Sequence, residues 1–239
     1  MWHDQSAYEV RLDWGQTGLA TLVGSCDAVV IVDVLSFSTC VDIAVAGGAS
    51  VLPFDEPGEK ARAFAVQSKA VCAGPRGHKH YSLSPRSLVG ILAGTRLVLP
   101  SPNGAALCLQ TGTTPTFTAC LRNADSVARA ARTVGRHIAV IAAGERWPSG
   151  NLRVAIEDWL GVGAVIASIE GQKSPEAEAA CLAFRGASNC IDSLLIDCVS
   201  GRELFERGFP DDVRLASQCN VSRCAPRLVQ GAFVDSSRS

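Results

Sequence analysis

The chain has 239 residues, 47% apolar and 19% charged, with 22 basic against 23 acidic side chains and a net charge of −1. That is enough apolar chain for a sizeable buried core, and it excludes a disordered or fibrous polymer. The near-zero charge excludes binding through a strongly basic face, so no nucleic-acid partner is expected.

The N-terminal MWHDQSAYEVRLDWG has no basic segment followed by an apolar run, so no secretory signal is expected. No apolar stretch approaches the roughly eighteen residues of a membrane helix, Leu160 to Ile169 coming nearest, so no membrane partner and a cytoplasmic location are expected. Val29 to Val32 reads as a buried strand, and Thr39 to Ala46 as a helix ended by Gly47 and Gly48. Ser50 to Phe54 is the next strand, and DEPGEKARAFAVQS is a helix with acids at its front. Strands follow at Ala70 to Cys72, Arg96 to Leu99, Thr116 to Ala119 and His137 to Ala142, with helices at Ala105 to Gln110, Asn123 to Thr133 and Arg153 to Ser168. Apolar strands that run continuously, each followed by a helix, belong to a sheet covered on both faces. The expected fold is therefore α/β, a three-layer α/β/α arrangement around a mostly buried mixed or parallel sheet.

Further on, SPEAEAACLAFRG and SGRELFERG look helical, the first opened by Ser174 and Pro175 in cap and first-turn positions. RLVQGAFVD suits a small hairpin turning at Gln230 and Gly231, and SSRS a loose tail. Without repeats or low-complexity linkers, residues 1–239 read as a single domain, with the part from about residue 170 onward a candidate smaller subdomain. The ten cysteines are scattered with no C-x-x-C pair and sit mostly among Ala, Val and Leu, where a reduced cysteine acts as a small buried hydrophobe. A disulfide framework or a zinc site is the alternative.

In open α/β sheets ligands gather beyond the carboxyl ends of the strands, and four polar stretches sit there. In VVIVDVLSFSTC, Asp33 leaves a strand and Ser36, Ser38 and Thr39 precede a helix whose free N–H groups suit a phosphate or carboxylate. Asp33 serves equally well there as a plain helix cap. In LVLPSPNGAAL, Ser101, Asn103 and Gly104 form a polar turn, and Pro-Asn-Gly is a strong turn signal by itself. In the third, Glu145 and Arg146 follow a strand, while the adjacent Glu157 and Asp158 lie on a helix too apolar for ordinary solvated acids, so they call for a partner or a metal. The fourth, CAGPRGHKHYSLSPRSLVG, is a basic loop with Arg76, His78, Lys79, His80 and Arg86, fit to close over an anion. The phosphate-loop, dinucleotide, nucleophile-elbow and zinc-protease motifs are all absent.

Five stretches in order, VVIVDVLSFSTCVDIAVAGGASVLPF, SPNGAALC, LRNADSVARAA, AAGERWPSGNLRVAIEDWLGVGAVI and SGRELFERGFPDDVRLASQCNVS, resemble the 2-phosphosulfolactate phosphatase family over nearly the whole chain. The resemblance implies a magnesium-dependent phosphatase that releases sulfolactate and phosphate from a small sulfonated phosphate ester, a step of coenzyme M biosynthesis in some organisms. On that basis Asp33, Glu145 and Asn103 are the expected catalytic residues. Asp33, Glu157 and Asp158 are the candidate Mg²⁺ ligands. Ser36, Ser38, Thr39, Arg76, Ser101, Gly104 and Asn123 are the expected contacts to the phosphorylated anionic substrate, and a homodimer is a candidate assembly. The family pattern carries an arginine where this chain has Ser36, and acid and amide residues where it has Pro75 and Leu83. A different small phosphorylated acid, or a non-catalytic anion-binding role, thus stands as the alternative.

Overall fold

The computed structural model describes residues 2–237. It opens with β1 (Val10–Trp14) and α1 (Gly15–Leu22), neither of which the sequence pattern singled out. β1 alternates apolar and polar residues, and so lacks the continuous apolar run that marks the inner strands. There follow β2 (Ala28–Val32), α2 (Phe37–Ala46), β3 (Ser50–Phe54), α3 (Glu59–Gln67), β4 (Val71–Cys72), a short α4 (Pro85–Leu88), β5 (Arg96–Pro100) and α5 (Gly104–Cys108). Next come β6 (Thr116–Ala119), α6 (Ala124–Val134) and β7 (Ile138–Ala142). A small antiparallel ribbon, β8 (Glu145–Arg146) with β9 (Leu152–Arg153), leads into α7 (Ile156–Ala167). That ribbon is why α7 starts at Ile156 and not at the expected Arg153.

Four helices succeed one another: α8 (Pro175–Ala187), α9 (Ile191–Asp197), α10 (Val199–Glu206) and α11 (Pro210–Ala216). Ser174 caps α8 as expected, its side chain accepting the Ala177 N–H. The hairpin β10 (Pro226–Val229) and β11 (Ala232–Asp235) turns at Gln230 and Gly231. Of the expected loose tail, Ser236 is held by two hydrogen bonds to the Ala225 carbonyl, while Arg238 and Ser239 lie outside the described residues.

Nine strands form one mixed sheet in the order β1-β7-β2-β6-β10-β11-β3-β5-β4. The strands β1, β7, β2 and β6 run parallel, as do β3, β5 and β4. Between these two halves sits the C-terminal hairpin, antiparallel to both, and each join rests on one register pair, Arg227 with Phe117 and Phe233 with Val51. The last strands of the chain thus occupy the middle of the sheet.

β2 is buried on both sides, and its alternate residues feed two cores. Val30 and Val32 pack with Leu12, Val140 and the buried faces of α6, α7 and α8. Val29 and Ile31 pack with Val51, Leu97, Leu99, Phe233 and the helices α1, α2 and α5. Helices on both faces of the sheet make the three layers that the sequence implied. All ten cysteines are free, and six are buried. Among the described residues, no single helix is long and apolar enough to cross a membrane.

The helices α7 and α8 touch through Gly163, where an added Cβ would lie 2.2 Å from the Ala180 carbonyl oxygen. Helix propensity favours alanine there by about 1 kcal/mol, but backbone against backbone cannot yield as a side chain can. We expect Gly163→Ala to destabilise the protein by about 2 kcal/mol, read as a lowered urea midpoint with unchanged m-value.

Candidate active site

A cleft of about 730 Å³ opens where the ends of β2 and β5 meet the loop after β4 and the outer faces of α3 and α10. Asp33 leaves β2 into this cleft. Its Oδ1 accepts the Phe37 N–H at 3.1 Å and its Oδ2 the Gly104 N–H at 2.8 Å. One carboxylate therefore organises the first turns of both α2 and α5. Only glycine permits this at position 104, since a Cβ would lie 2.6 Å from the Phe37 ring and 2.7 Å from Oδ2.

The turn before α5 supplies the next groups. Asn103 donates from Nδ2 to Oε2 of Glu145 at 3.0 Å, fixing an acid that lies 42 residues further along the chain. Ser101 lines the cleft beside it and accepts the Asn103 N–H at 3.4 Å. Asp33, Asn103, Glu145, Ser36, Ser101 and Arg76 thus share one cavity wall.

Other expected site residues lie behind that wall. The Ser38 hydroxyl accepts the Asp33 N–H at 2.9 Å and pairs with Thr118 at 2.7 Å, while Thr39 donates to the Val34 carbonyl at 2.7 Å. Both are fully buried, so they shape the Asp33 turn and do not reach into the cleft. Asn123 is also enclosed, its Oδ1 accepting the Cys120 N–H at the entry to α6.

Of the acid pair on α7, Asp158 spends its oxygens on the Val34 and Gly144 N–H groups, at 2.7 and 2.8 Å, and Glu157 meets the Cys198 thiol at 3.5 Å. Neither lines the cleft. The expected need for a partner is met by main-chain donors for Asp158, which ties together the turns carrying Asp33 and Glu145.

The basic loop folds over the cleft mouth, with Arg76 and His78 among its lining residues. Arg76 pairs with Asp212 of α11 and donates from Nη2 to Ser36 Oγ at 3.1 Å. Arg62 of α3 also lines the cleft, and its side chain forms no ion pair or hydrogen bond among the described residues, while Arg207 of α10 pairs with Glu203. Asp212, Arg62 and the α10 wall were not singled out from the sequence. They reach the site through the docking of whole helices, which leaves no local motif.

Charge in the cleft is divided. Burial, followed by the charge of Glu145, pushes the Asp33 carboxyl up to about 7 against the pull of its two N–H donors. Glu145 is raised by burial and lowered in part by Asn103. Asp158 is held well above the usual carboxylate range by burial and by Asp33 and Glu157. Among the described residues these acids have no basic partner at bonding distance, while the Arg76 and Arg62 side chains line the same cleft.

Carboxylate oxygens in that state suit a hard divalent cation, and Mg²⁺ needs only one or two of them besides water and a phosphate oxygen. Among the described residues no three His, Cys, Asp or Glu side chains gather into an all-protein cage. Of the Asp33, Glu157 and Asp158 set expected for the metal, only Asp33 lines the cleft, where Glu145 lines it too.

Fold and cleft together define an α/β/α protein with buried acids and arginine side chains lining one cleft at the ends of β2 and β5. The family model for 2-phosphosulpholactate phosphatase matches residues 20–231, and the chain belongs to that family. It is similar to the 2-phosphosulfolactate phosphatase of Methanothermobacter thermautotrophicus, 35% identical over 133 residues, which span 56% of each chain. It is also similar to a probable 2-phosphosulfolactate phosphatase of Carboxydothermus hydrogenoformans, 30% identical over 227 residues covering 88% of this chain and 91% of that one. The chain thus matches little more than half the length of the first relative.

Because Asp33 binds its proton more tightly in the folded state than a free carboxyl does, the native protein holds more protons than the unfolded chain between about pH 4 and 7. Stability of the metal-free protein should therefore fall as pH rises through that window. Urea unfolding at half-unit steps checks this, with a flatter fall expected in Asp33→Asn.

Proposed function

We propose that this protein hydrolyses the phosphate monoester of 2-phosphosulfolactate, releasing sulfolactate and phosphate, with Mg²⁺ held at Asp33 and with Glu145 acting as the base. The observation that carries this is opposite charge lining one cleft: the raised acids Asp33 and Glu145, and the guanidinium groups of Arg76 and Arg62. The family and its similar relatives supply the substrate class.

When bound, Mg²⁺ would offset charge on the phosphoryl oxygens and hold a water for attack. The residues do the rest by position. Arg76 is placed to bind phosphoryl oxygen through the donors that Asp212 and Ser36 leave free. Ser36 and Ser101 offer hydroxyl donors at the same wall. Glu145, raised by burial and turned by Asn103, is suited to accept a proton from the attacking water. Arg62, uncommitted to any acid among the described residues, is placed to read the substrate's sulfonate or carboxylate.

A second substrate is favoured by one observation. The guanidinium at Ser36 comes from Arg76 in the basic loop, where the family pattern supplies an arginine at position 36 itself. Another small phosphorylated acid would fit a cleft altered in this way.

Phosphate release from a panel of small phosphate esters tests the proposal. Turnover of 2-phosphosulfolactate is expected to depend on Mg²⁺ and to fall at least a hundredfold in Asp33→Asn and Glu145→Gln, about 3 kcal/mol of transition-state stabilisation each. Faster turnover of another ester would reassign the substrate. Phosphate binding without turnover under any divalent metal would make the protein a non-catalytic anion binder.

A further inference from the structure

Asp212 stands outside the cleft lining, yet its carboxylate commands the loop that covers it. It is 1% exposed at the first turn of α11. Its Oδ2 pairs with Arg76 Nη1, while its Oδ1 accepts the Ser84 hydroxyl at 2.6 Å and the Arg86 N–H at 3.0 Å. One carboxylate therefore grips the basic loop at both ends.

The loop also closes on itself, through the Gly74 N–H to the Tyr81 carbonyl at 2.8 Å and the Ser82 N–H to the Ser87 hydroxyl at 3.0 Å. The Arg76 guanidinium is thus constrained on three sides. Asp212 holds one edge, Ser36 Oγ holds Nη2, and the Phe209 ring lies beneath it with its centroid 5.4 Å away. Its side chain is 11% exposed.

Net stability is a poor reason for such a pair, because desolvating two charges offsets most of their attraction. Placement is a better one: a planar fork held at one edge presents its remaining donors in a set direction. We propose that Asp212 is a positioning residue, which acts through Arg76 to present the guanidinium at Ser36, where the phosphoryl group binds beside Asp33. This rests on the phosphoryl-binding assignment of the same cleft.

Since Asp212 does not line the cleft, its influence should vanish when Arg76 is gone. The test is a double-mutant cycle on inorganic phosphate affinity, measured by calorimetry in Mg²⁺ buffer. Arg76→Ala and Asp212→Asn should each weaken binding about tenfold or more, and the double variant should bind no more weakly than Arg76→Ala alone. Additive losses, or wild-type protein that binds no phosphate, would overturn the proposal.

Should Asp212→Asn lose its cooperative thermal transition, Arg76→Lys decides. An ammonium paired with Asp212 cannot also span to Ser36, so this variant should bind as weakly as Arg76→Ala, and wild-type affinity would refute positioning. Turnover of 2-phosphosulfolactate is measured alongside, with Asp212→Asn expected to raise KM more than it lowers kcat. Absent turnover with the coupling intact would count against the phosphatase assignment alone.

Discussion

The Asp33 carboxylate is the point on which the site's geometry turns. By accepting one N–H from the first turn of α2 and another from that of α5, it joins two turns that follow strands in different halves of the sheet. Satisfying both oxygens with main-chain donors fixes the carboxylate's plane without a side-chain cation. The acid is thus held oriented with no cation paired to it among the described residues. Capping does not rule out a reactive role for Asp33, because capping is what aims it.

Around it, supporting contacts divide the labour. Asp158 ties the turn after β2 to the turn after β7, so that Asp33 and Glu145 cannot drift independently. Asn103 then sets the rotation of Glu145. At Arg76, Asp212 does for a guanidinium what the main chain does for Asp33. Acids are held by N–H groups and the arginine by an acid, so opposite charges are kept in place within one cleft.

Much of this was legible in the sequence where strand, polar turn and helix follow within a few residues. Asp33, Ser101, Asn103, Gly104 and Glu145 carry that signature, and the structure gathers all but Gly104 along the cleft, Gly104 spending its N–H on Asp33 behind it. Ser38, Thr39 and Asn123 carry it too, yet their side chains turn inward to satisfy buried backbone groups. Which way a hydroxyl turns depends on what lies behind it, and local sequence does not state that. Glu157 and Asp158 were recognised as acids in need of partners, but those partners include the turn 124 residues earlier. Asp212 was illegible for the same reason, since it meets Arg76 across 136 residues of chain. The strand β1 escaped notice because its alternating pattern matches an edge position.

The hairpin in the middle of the sheet has a consequence for the order of assembly. A ribosome delivers the strands of both parallel halves before it delivers residues 226–235, the segment that joins them. Until then β6 and β3 each present an open edge of unpaired N–H and C=O groups, the kind of edge that recruits strands from other chains. Until residues 226–235 are made, the two halves each carry an exposed sheet edge, and that hairpin acts as the seam that seals them.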